Sequence, residues 1–225
     1  MKRRCSWLLV GACIIQGLLA DGHTPRRAIA QSQSGLITLR VERIAVVPFF
    51  KGRCGADIAE ALDCPLSRLY FNPETLASDC DRILTRYVQE ALKKRLEDKV
   101  IPLAQVTEKY QQIPKDKTTD TLRILAQKLG EVLGANLIIV GTVWRCKDRD
   151  TADVESPGSS VAFAICLIDV ADAKMTWKGK FDKTQQSLAD DVLKARNAFK
   201  KGVKWLSANE LAQYGVREIF KKFPL

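Results

Sequence analysis

The chain has 225 residues, with 36 Lys or Arg, 26 Asp or Glu, a net charge of +10 and one histidine. That histidine, His23, lies within the first thirty residues, so a chain processed beyond it has none. Such a chain cannot use a Ser-His-Asp or Cys-His nucleophile, a His-ligated zinc, a c-type haem or an HExxH site, which excludes most hydrolase chemistry.

Residues 1–30 have the parts of a secretory signal peptide. Three basic residues at 2–4 precede an apolar stretch over 7–20, which is shorter than the about 20 apolar residues that span a membrane. Ala28-Ile29-Ala30 has the small-x-small pattern of a cleavage site, so we expect a mature chain that begins after Ala30. The segment at 10–13, VGAC, resembles a bacterial lipobox. The alternative is therefore a lipidated Cys13, which would attach the protein to the membrane surface.

Loss of residues 1–30 removes five basic residues and one acid and leaves a net charge of +6. A mildly basic surface suits an acidic partner or anionic lipid head groups, and solubility explains it equally well. We expect a protein of the periplasm, or of the outer membrane facing the periplasm if it is lipidated, with no nucleic acid as partner. The remaining residues, about 195, suffice for one packed domain with an extension or for two small domains.

The first half of the chain predicts two strands and two helices. Residues 31–42 are interpreted as a linker, and 43–50, RIAVVPFF, as a buried strand. A loop with two cysteines follows, and Asn72-Pro73-Glu74 has the N-cap, first-turn proline and acid of a helix that continues to Leu96. A weaker strand is predicted over 100–106, and then a helix capped at 119–120 and ended by Gly134.

The second half predicts the centre of a sheet and a helical end. Residues 137–144, LIIVGTVW, are the strongest strand, and a charged loop follows over 147–159. Residues 161–169 and 175–184 predict a hairpin whose second arm alternates apolar and polar residues, as expected at a sheet edge or with one face uncovered. A helix is predicted from 185 onward, and another after a capping box at Ser207 and Glu210.

The resulting order, β-α-β-α-β-β-β-α-α, predicts an α/β (α+β) fold with a mixed sheet of about five strands flanked by helices. Residues 43–184 form the predicted domain, and 185–225 form a helical extension packed on it.

Five cysteines follow residue 30, and none forms a CxxC motif. In an oxidising compartment their expected use is in disulfides, and an odd number leaves at least one thiol free. At least one bridge is expected among Cys54, Cys64 and Cys80. Cys54–Cys64 is favoured, with Cys54–Cys80 and Cys64–Cys80 as alternatives. Cys166 alternates with apolar residues and is predicted to be a small buried hydrophobe.

Three segments resemble envelope proteins related to the curli-secretion lipoprotein CsgG. Residues 44–49, IAVVPF, are similar to the IAVLPF opening of this group, which includes the penicillin-binding-protein activator LpoB and the N-terminal domain of TolB. Residues 133–143 resemble its lGAdylivGtv segment, and 161–177 resemble the hairpin that follows, with Asp169 and Trp177 at the matching positions.

The resemblance covers 43–184 but not the 51–72 loop, and the pore-forming insertions of CsgG are not evident. It implies a small α/β domain that assembles with other envelope proteins and has no shared catalytic site.

We therefore expect a non-catalytic envelope protein that acts in assembly, secretion or wall synthesis by binding an envelope protein or itself, without cofactor or metal. The apolar stripe of the last helix is the candidate partner surface, with burial against the sheet as the competing interpretation. Its residues are Leu211, Val216, Ile219, Phe220 and Phe223.

The alternative function is a histidine-independent periplasmic hydrolase that uses side chains of the 147–159 loop. The residues considered for it are Asp148, Asp150, Asp153 and Ser159. Two further groups received structural interpretations. Trp144 and Trp177 are predicted to pack across neighbouring strands rather than to form a ligand platform. The lysines at 178, 180 and 183 are predicted to form a solvated face rather than a binding patch.

Overall fold

One mixed sheet organises the domain. A computed structural model describes residues 40–150, 158–185 and 206–225. The strands are β1 (Ile44–Val46), β2 (Phe50–Lys51), β3 (Leu137–Lys147), β4 (Ser160–Asp169) and β5 (Met175–Thr184). β1 and β2 both pair in parallel with β3, and the pairs β3–β4 and β4–β5 are antiparallel. The predicted mixed sheet with flanking helices is confirmed.

Helices cover both faces of this sheet. The helices are α1 (Ile58–Leu62), α2 (Cys80–Leu96), α3 (Leu103–Gln112), α4 (Leu122–Leu133) and α5 (Ala208–Phe220). On one face, α2 and α5 share a core with Ile139 of β3 and Phe163 of β4. On the other face, α1, α3 and α4 share a core with Ile138 and Val140 of β3. Alternate residues of β3 therefore enter two different cores, which explains why its first seven residues are all buried.

A β-bulge interrupts β3 near its end. Val143 is opposite Phe163 and Arg145 is opposite Ala162, so Trp144 is the extra residue. Before the bulge, the odd-numbered residues of β3 face α2. After it, Cys146 lies in the core shared with α2, where strict alternation would have placed it on the opposite face.

The long helix begins later than predicted. Asn72 does act as a cap, since its side-chain oxygen accepts a hydrogen bond from the Glu74 N–H at 2.9 Å, but the helical turn there spans only Pro73–Thr75. Leu76 then forms a parallel bridge with Cys146, and the Ala77 N–H donates to the Cys146 carbonyl at 2.9 Å. This pairing with the sheet holds the backbone extended, so α2 starts only at Cys80.

The strand predicted over 100–106 is wrong. Val100 forms a single parallel bridge with Ile44, and the Ile101 N–H donates to the Ile44 carbonyl at 2.9 Å. Pro102 has no N–H with which to continue a ladder, and it occupies the N-cap position of α3. Only two residues of the apolar run therefore pair with the sheet, and the rest is helical.

The helix ends near 121, 134 and 207 follow the sequence closely. The Thr121 side chain caps α4 by accepting from the Ile124 N–H, and Gly134 ends this helix in a left-handed conformation with φ of 61°. Ser207 and Glu210 form the predicted capping box of α5.

Several predictions lie outside the described residues. These are the signal peptide at 1–30, the choice between cleavage and a lipidated Cys13, the linker up to residue 39, and Asp153. The helix predicted from 185 also lies outside the described residues, except for residue 185. None of the helices in the described ranges is both long and apolar enough to cross a membrane.

Candidate functional site

The apolar stripe of α5 lies inside the domain. Leu211, Val216, Ile219, Phe220 and Phe223 are each between 2% and 7% exposed and belong to the core that covers the sheet. A Cβ atom on Gly215 would lie only 2.7 Å from the Phe181 ring, which shows how closely α5 approaches the sheet. These five side chains are therefore not available to a partner in this fold. The structure agrees with the competing interpretation, burial against the sheet.

Two of the residues considered for a hydrolase, Asp148 and Ser159, make backbone contacts. The Asp148 carboxylate accepts a hydrogen bond from the Ala208 N–H at 2.5 Å, at the N-terminus of α5. The Ser159 side chain is buried and accepts from the Arg149 N–H at 3.2 Å. Asp150 is exposed. Asp148 thus holds the N-terminus of α5, and Ser159 holds the backbone at Arg149.

A different surface is formed by the loop between β2 and α2. Gly52 donates its N–H to the Val143 carbonyl at 2.7 Å and has φ of 107°, a conformation that favours glycine. A Cβ atom there would lie 2.9 Å from the Tyr70 carbonyl oxygen. Arg53 and Tyr70 exchange both backbone hydrogen bonds at 3.0 Å, so the two ends of the loop are joined. The loop therefore returns to the sheet where it left it.

A disulfide closes part of this loop, and two ion pairs hold the loop against the rest of the domain. Cys54 and Cys64 are bonded within it. Asp63 accepts two hydrogen bonds from Arg123 of α4, at 2.6 and 2.9 Å, and these hold the pKa of Asp63 below its ordinary value. Asp57 pairs with Lys178 of β5, and hydrogen bonding by that ammonium lowers the pKa of Asp57.

Aromatic and basic side chains meet beside this loop. Trp144 is half-buried, and the Arg53 guanidinium lies 5.9 Å from its ring centroid while the Lys180 ammonium lies 5.6 Å from it. Arg145 pairs with Asp182 at 2.5 Å. Tyr70 is 74% exposed, a high value for a large aromatic side chain.

An open cleft of about 230 Å³ lies here, and Lys180 is outside its lining. The cleft is lined by Arg53, Tyr70, Phe71, Asn72, Thr75, Trp144, Arg145 and Asp182. We call this region the Trp144 surface and define it by Arg53, Tyr70, Trp144, Arg145 and Lys180. The bulge explains why two long side chains of β3 appear together there. Arg145 is opposite Ala162, which lies on the same face of β4 as Ala164 and Cys166. That face belongs to the core on the α4 side, and Trp144 packs against the same core.

The sequence assigned Trp144 to packing only, and it gave no sign that Tyr70 would be exposed. The sequence feature that indicates this surface is Gly52 followed by two cysteines ten residues apart. Together they bring the chain back to the end of β3.

The remaining cysteines correct the predicted alternatives. Cys80 is bonded to Cys146 of β3, and not to Cys54 or Cys64. Cys80 lies on the face of α2 that enters the core. The partner was hidden because the bulge turns Cys146 to that face. Cys166 is a buried free thiol, and burial raises its pKa to about 12.

The described residues contain no cluster of three or more His, Cys, Asp or Glu side chains placed to hold a metal ion.

No family model matches the chain, and no curated protein matches it. Among solved structures it is similar to the PelC dodecamer from Paraburkholderia phytofirmans, at 12% identity over 80% of this chain and 84% of that one, with a TM-score of 0.46. It is similar to Lipoprotein GNA1162 from Neisseria meningitidis, at 18% identity over 72% and 99%, with a TM-score of 0.42.

The chain is also similar to the LpoB C-terminal domain from Salmonella enterica, at 16% identity over 65% of this chain and 84% of that one, with a TM-score of 0.38. LpoB is one of the proteins that the sequence resembles, whereas the likeness to CsgG and TolB stays a prediction. At these identities and TM-scores the likenesses carry no inference about function.

Proposed function

We propose that this protein is an exported, non-catalytic binding protein that docks onto a protein of the cell envelope through the Trp144 surface. The observation that carries the proposal is that the exposed Tyr70 lines one cleft with Trp144, which is flanked by two cations. Tyr70 lies six residues after a disulfide-closed segment. Tyrosine, tryptophan and arginine are the side chains that contribute most to binding in protein interfaces.

The rigidity of the loop supports this choice of surface. The Cys54–Cys64 bond, the paired backbone of Arg53 and Tyr70, and the Asp63–Arg123 ion pair fix the loop before any partner arrives. A surface that is already ordered loses little conformational entropy on binding, so more of the contact energy contributes to affinity.

Export is supported by the two disulfides, because such bonds persist in oxidising compartments and are rare in the cytosol. The signal peptide is the sequence feature that would direct it. Intact-mass measurement of the protein from the producing cells tests this part. A mature chain that begins after Ala30, or at a lipid-bearing Cys13, agrees with export, and an unprocessed chain with all thiols reduced contradicts it.

The docking surface is tested by photo-crosslinking in cells that produce the protein. A photoreactive amino acid replaces Tyr70 in one version and Val132 in another, since Val132 is a 54% exposed apolar residue on α4. We expect one cross-linked envelope protein at position 70 and not at 132. Arg53→Glu should abolish the product, while Arg82→Glu, a matched change on the exposed side of α2, should leave it.

Equal products at both positions, or none at position 70, would contradict docking at this surface. The hydrolase alternative is separated by a different readout. If the purified protein releases soluble fragments from isolated envelope and Asp148→Asn abolishes that release, the protein is an enzyme and the proposal fails.

A further inference from the structure

Strand β5 has an outer edge that no other strand of residues 40–150, 158–185 and 206–225 covers. In an antiparallel edge strand, every second residue bonds its backbone N–H and C=O to the paired strand, and the residues between them direct theirs outward. Alternate residues of β5 therefore present donors and acceptors on the outer edge. β5 has ten residues, and at about 3.3 Å per residue its edge is about 33 Å long. This length accommodates a full added strand.

Helix α5 forms a wall beside this edge. Gly179 of β5 has no side chain, and a Cβ atom there would lie 2.5 Å from Ile219 of α5. The Trp177 indole N–H donates to the Lys222 carbonyl at 3.1 Å, and the Trp177 ring meets Phe223 edge-on at 4.9 Å. Strand and wall are therefore held together, and they enclose a groove of about 420 Å³.

The groove is basic. Its lining contains four lysines, Lys178, Lys180, Lys183 and Lys222, and one acid, Glu218. Glu218 forms a salt bridge with Lys221 at 2.6 Å, Lys178 is paired with Asp57, and Lys180 lies 3.7 Å from Asp182. The surplus of positive charge therefore comes from Lys183 and Lys222. A backbone edge that no described strand covers, a preformed wall and a surplus of positive charge are thus combined in one place.

From this combination we propose that the β5 groove binds an extended acidic segment of a partner protein, which adds to the sheet as a strand beside β5. The backbone edge supplies hydrogen bonds, and the lysines select for carboxylates on the added strand. This site goes beyond the Trp144 surface, because neither Lys183 nor Lys222 belongs to that surface.

Lysines on an edge strand also discourage pairing with other strands, and this role agrees with the proposal rather than competing with it. A second copy of β5 would bring its own lysines against these, and like charges directly opposite each other are destabilising. An acidic strand meets no such repulsion. The same side chains therefore reject self-pairing and admit a strand of opposite charge.

The test uses protein produced from the full-length gene and an eight-residue probe of alternating glutamate and valine with blocked termini. Three further peptides serve as comparisons: the probe N-methylated at one set of alternate residues, the probe N-methylated at the other set, and a lysine–valine peptide. We expect the glutamate probe to bind measurably by NMR titration, with shifts in the β5 amides. One of the methylated probes should bind at least about tenfold more weakly, because several backbone hydrogen bonds are lost.

Charge-reversed variants separate the groove from the rest of the surface. Lys183→Glu together with Lys222→Glu should weaken the glutamate probe at least about tenfold and allow the lysine–valine peptide to bind. Lys93→Glu together with Lys117→Glu changes the net charge equally at two exposed lysines that do not line the groove, and it should leave binding unchanged.

Three results would overturn the proposal. The glutamate probe could fail to bind, it could bind equally well with either set of alternate residues methylated, or all β5 amides could be protected from hydrogen exchange in the free protein. The second result would indicate attraction by charge alone, and the third an edge that is already occupied. Each of them leaves the cross-linking result at position 70 unaffected.

Discussion

Of the two disulfides, Cys80–Cys146 should contribute more to the stability of the protein than Cys54–Cys64. It closes a segment with a sequence separation of 66, whereas Cys54–Cys64 has a separation of 10. In the chain-entropy model, these lengths correspond to about 4.3 and about 2.7 kcal/mol of unfolding free energy at 25 °C. Cys80→Ala with Cys146→Ala should therefore be more destabilising than Cys54→Ala with Cys64→Ala by about 1.6 kcal/mol.

The assay is denaturant unfolding of the oxidised proteins, followed by tryptophan fluorescence. Cys80 and Cys146 are both buried, so their replacement also removes packed sulfur atoms. Cys166→Ala measures that part separately, since Cys166 is a buried cysteine without a cross-link. The denaturant slope should increase in the double variants because the unfolded chains expose more surface. If the first double variant loses no more than twice the loss in Cys166→Ala, the reasoning from loop length is refuted.

Three further predictions concern single residues. Gly215→Ala should destabilise the protein by about 1–3 kcal/mol in the same unfolding assay, since crowding against Phe181 outweighs the helix-propensity gain of about 1 kcal/mol. An unchanged or increased stability would contradict the close approach of α5 to the sheet. Thr85→Val should lower the free energy of unfolding by about 1–3 kcal/mol, because the Thr85 hydroxyl oxygen accepts a hydrogen bond from the buried Phe49 N–H at 2.9 Å. An unchanged stability would mean that the Phe49 N–H finds another acceptor. Asp63→Asn should lower stability at neutral pH, and its difference from the unchanged protein should shrink as the pH falls below about 4. The reason is that Arg123 lowers the pKa of Asp63 in the folded state, so the contribution of the pair is present above the unfolded pKa and is lost as Asp63 is protonated; a pH-independent difference would contradict it.

The sequence predicted the elements that local chemistry determines. The apolar run at 137–144, the hairpin after it and the capping box at Ser207 all appear at or close to their predicted positions. The predictions for 72–79 and 100–106 failed for a shared reason. In both segments one or two residues pair with the sheet, at Leu76 and at Val100, and such long-range pairing leaves no periodic pattern in the sequence.

The candidate site was less predictable than the fold. One inserted residue, Trp144, moves the two residues that follow it to the faces opposite those that strict alternation assigns. Arg145 thereby lies on the side of the Trp144 surface, and Cys146 reaches Cys80. A β-bulge depends on how two strands pair, so neither the second disulfide nor the surface could be derived from the spacing of residues within β3.

The two disulfides differ in what they can contribute to function. The long-range bond joins the start of α2 to the end of β3 between buried residues of one core. The short bond closes a loop that contains only one helix of five residues and has half-exposed cysteines. Its smaller entropic effect on unfolding makes it a poor device for global stability. The same constraint acts fully on residues 54–64, which lie between Arg53 and Tyr70, and the backbones of these two residues pair. A cross-link in this place is best explained by the need to hold the aromatic and basic side chains of the Trp144 surface in one arrangement before a partner binds.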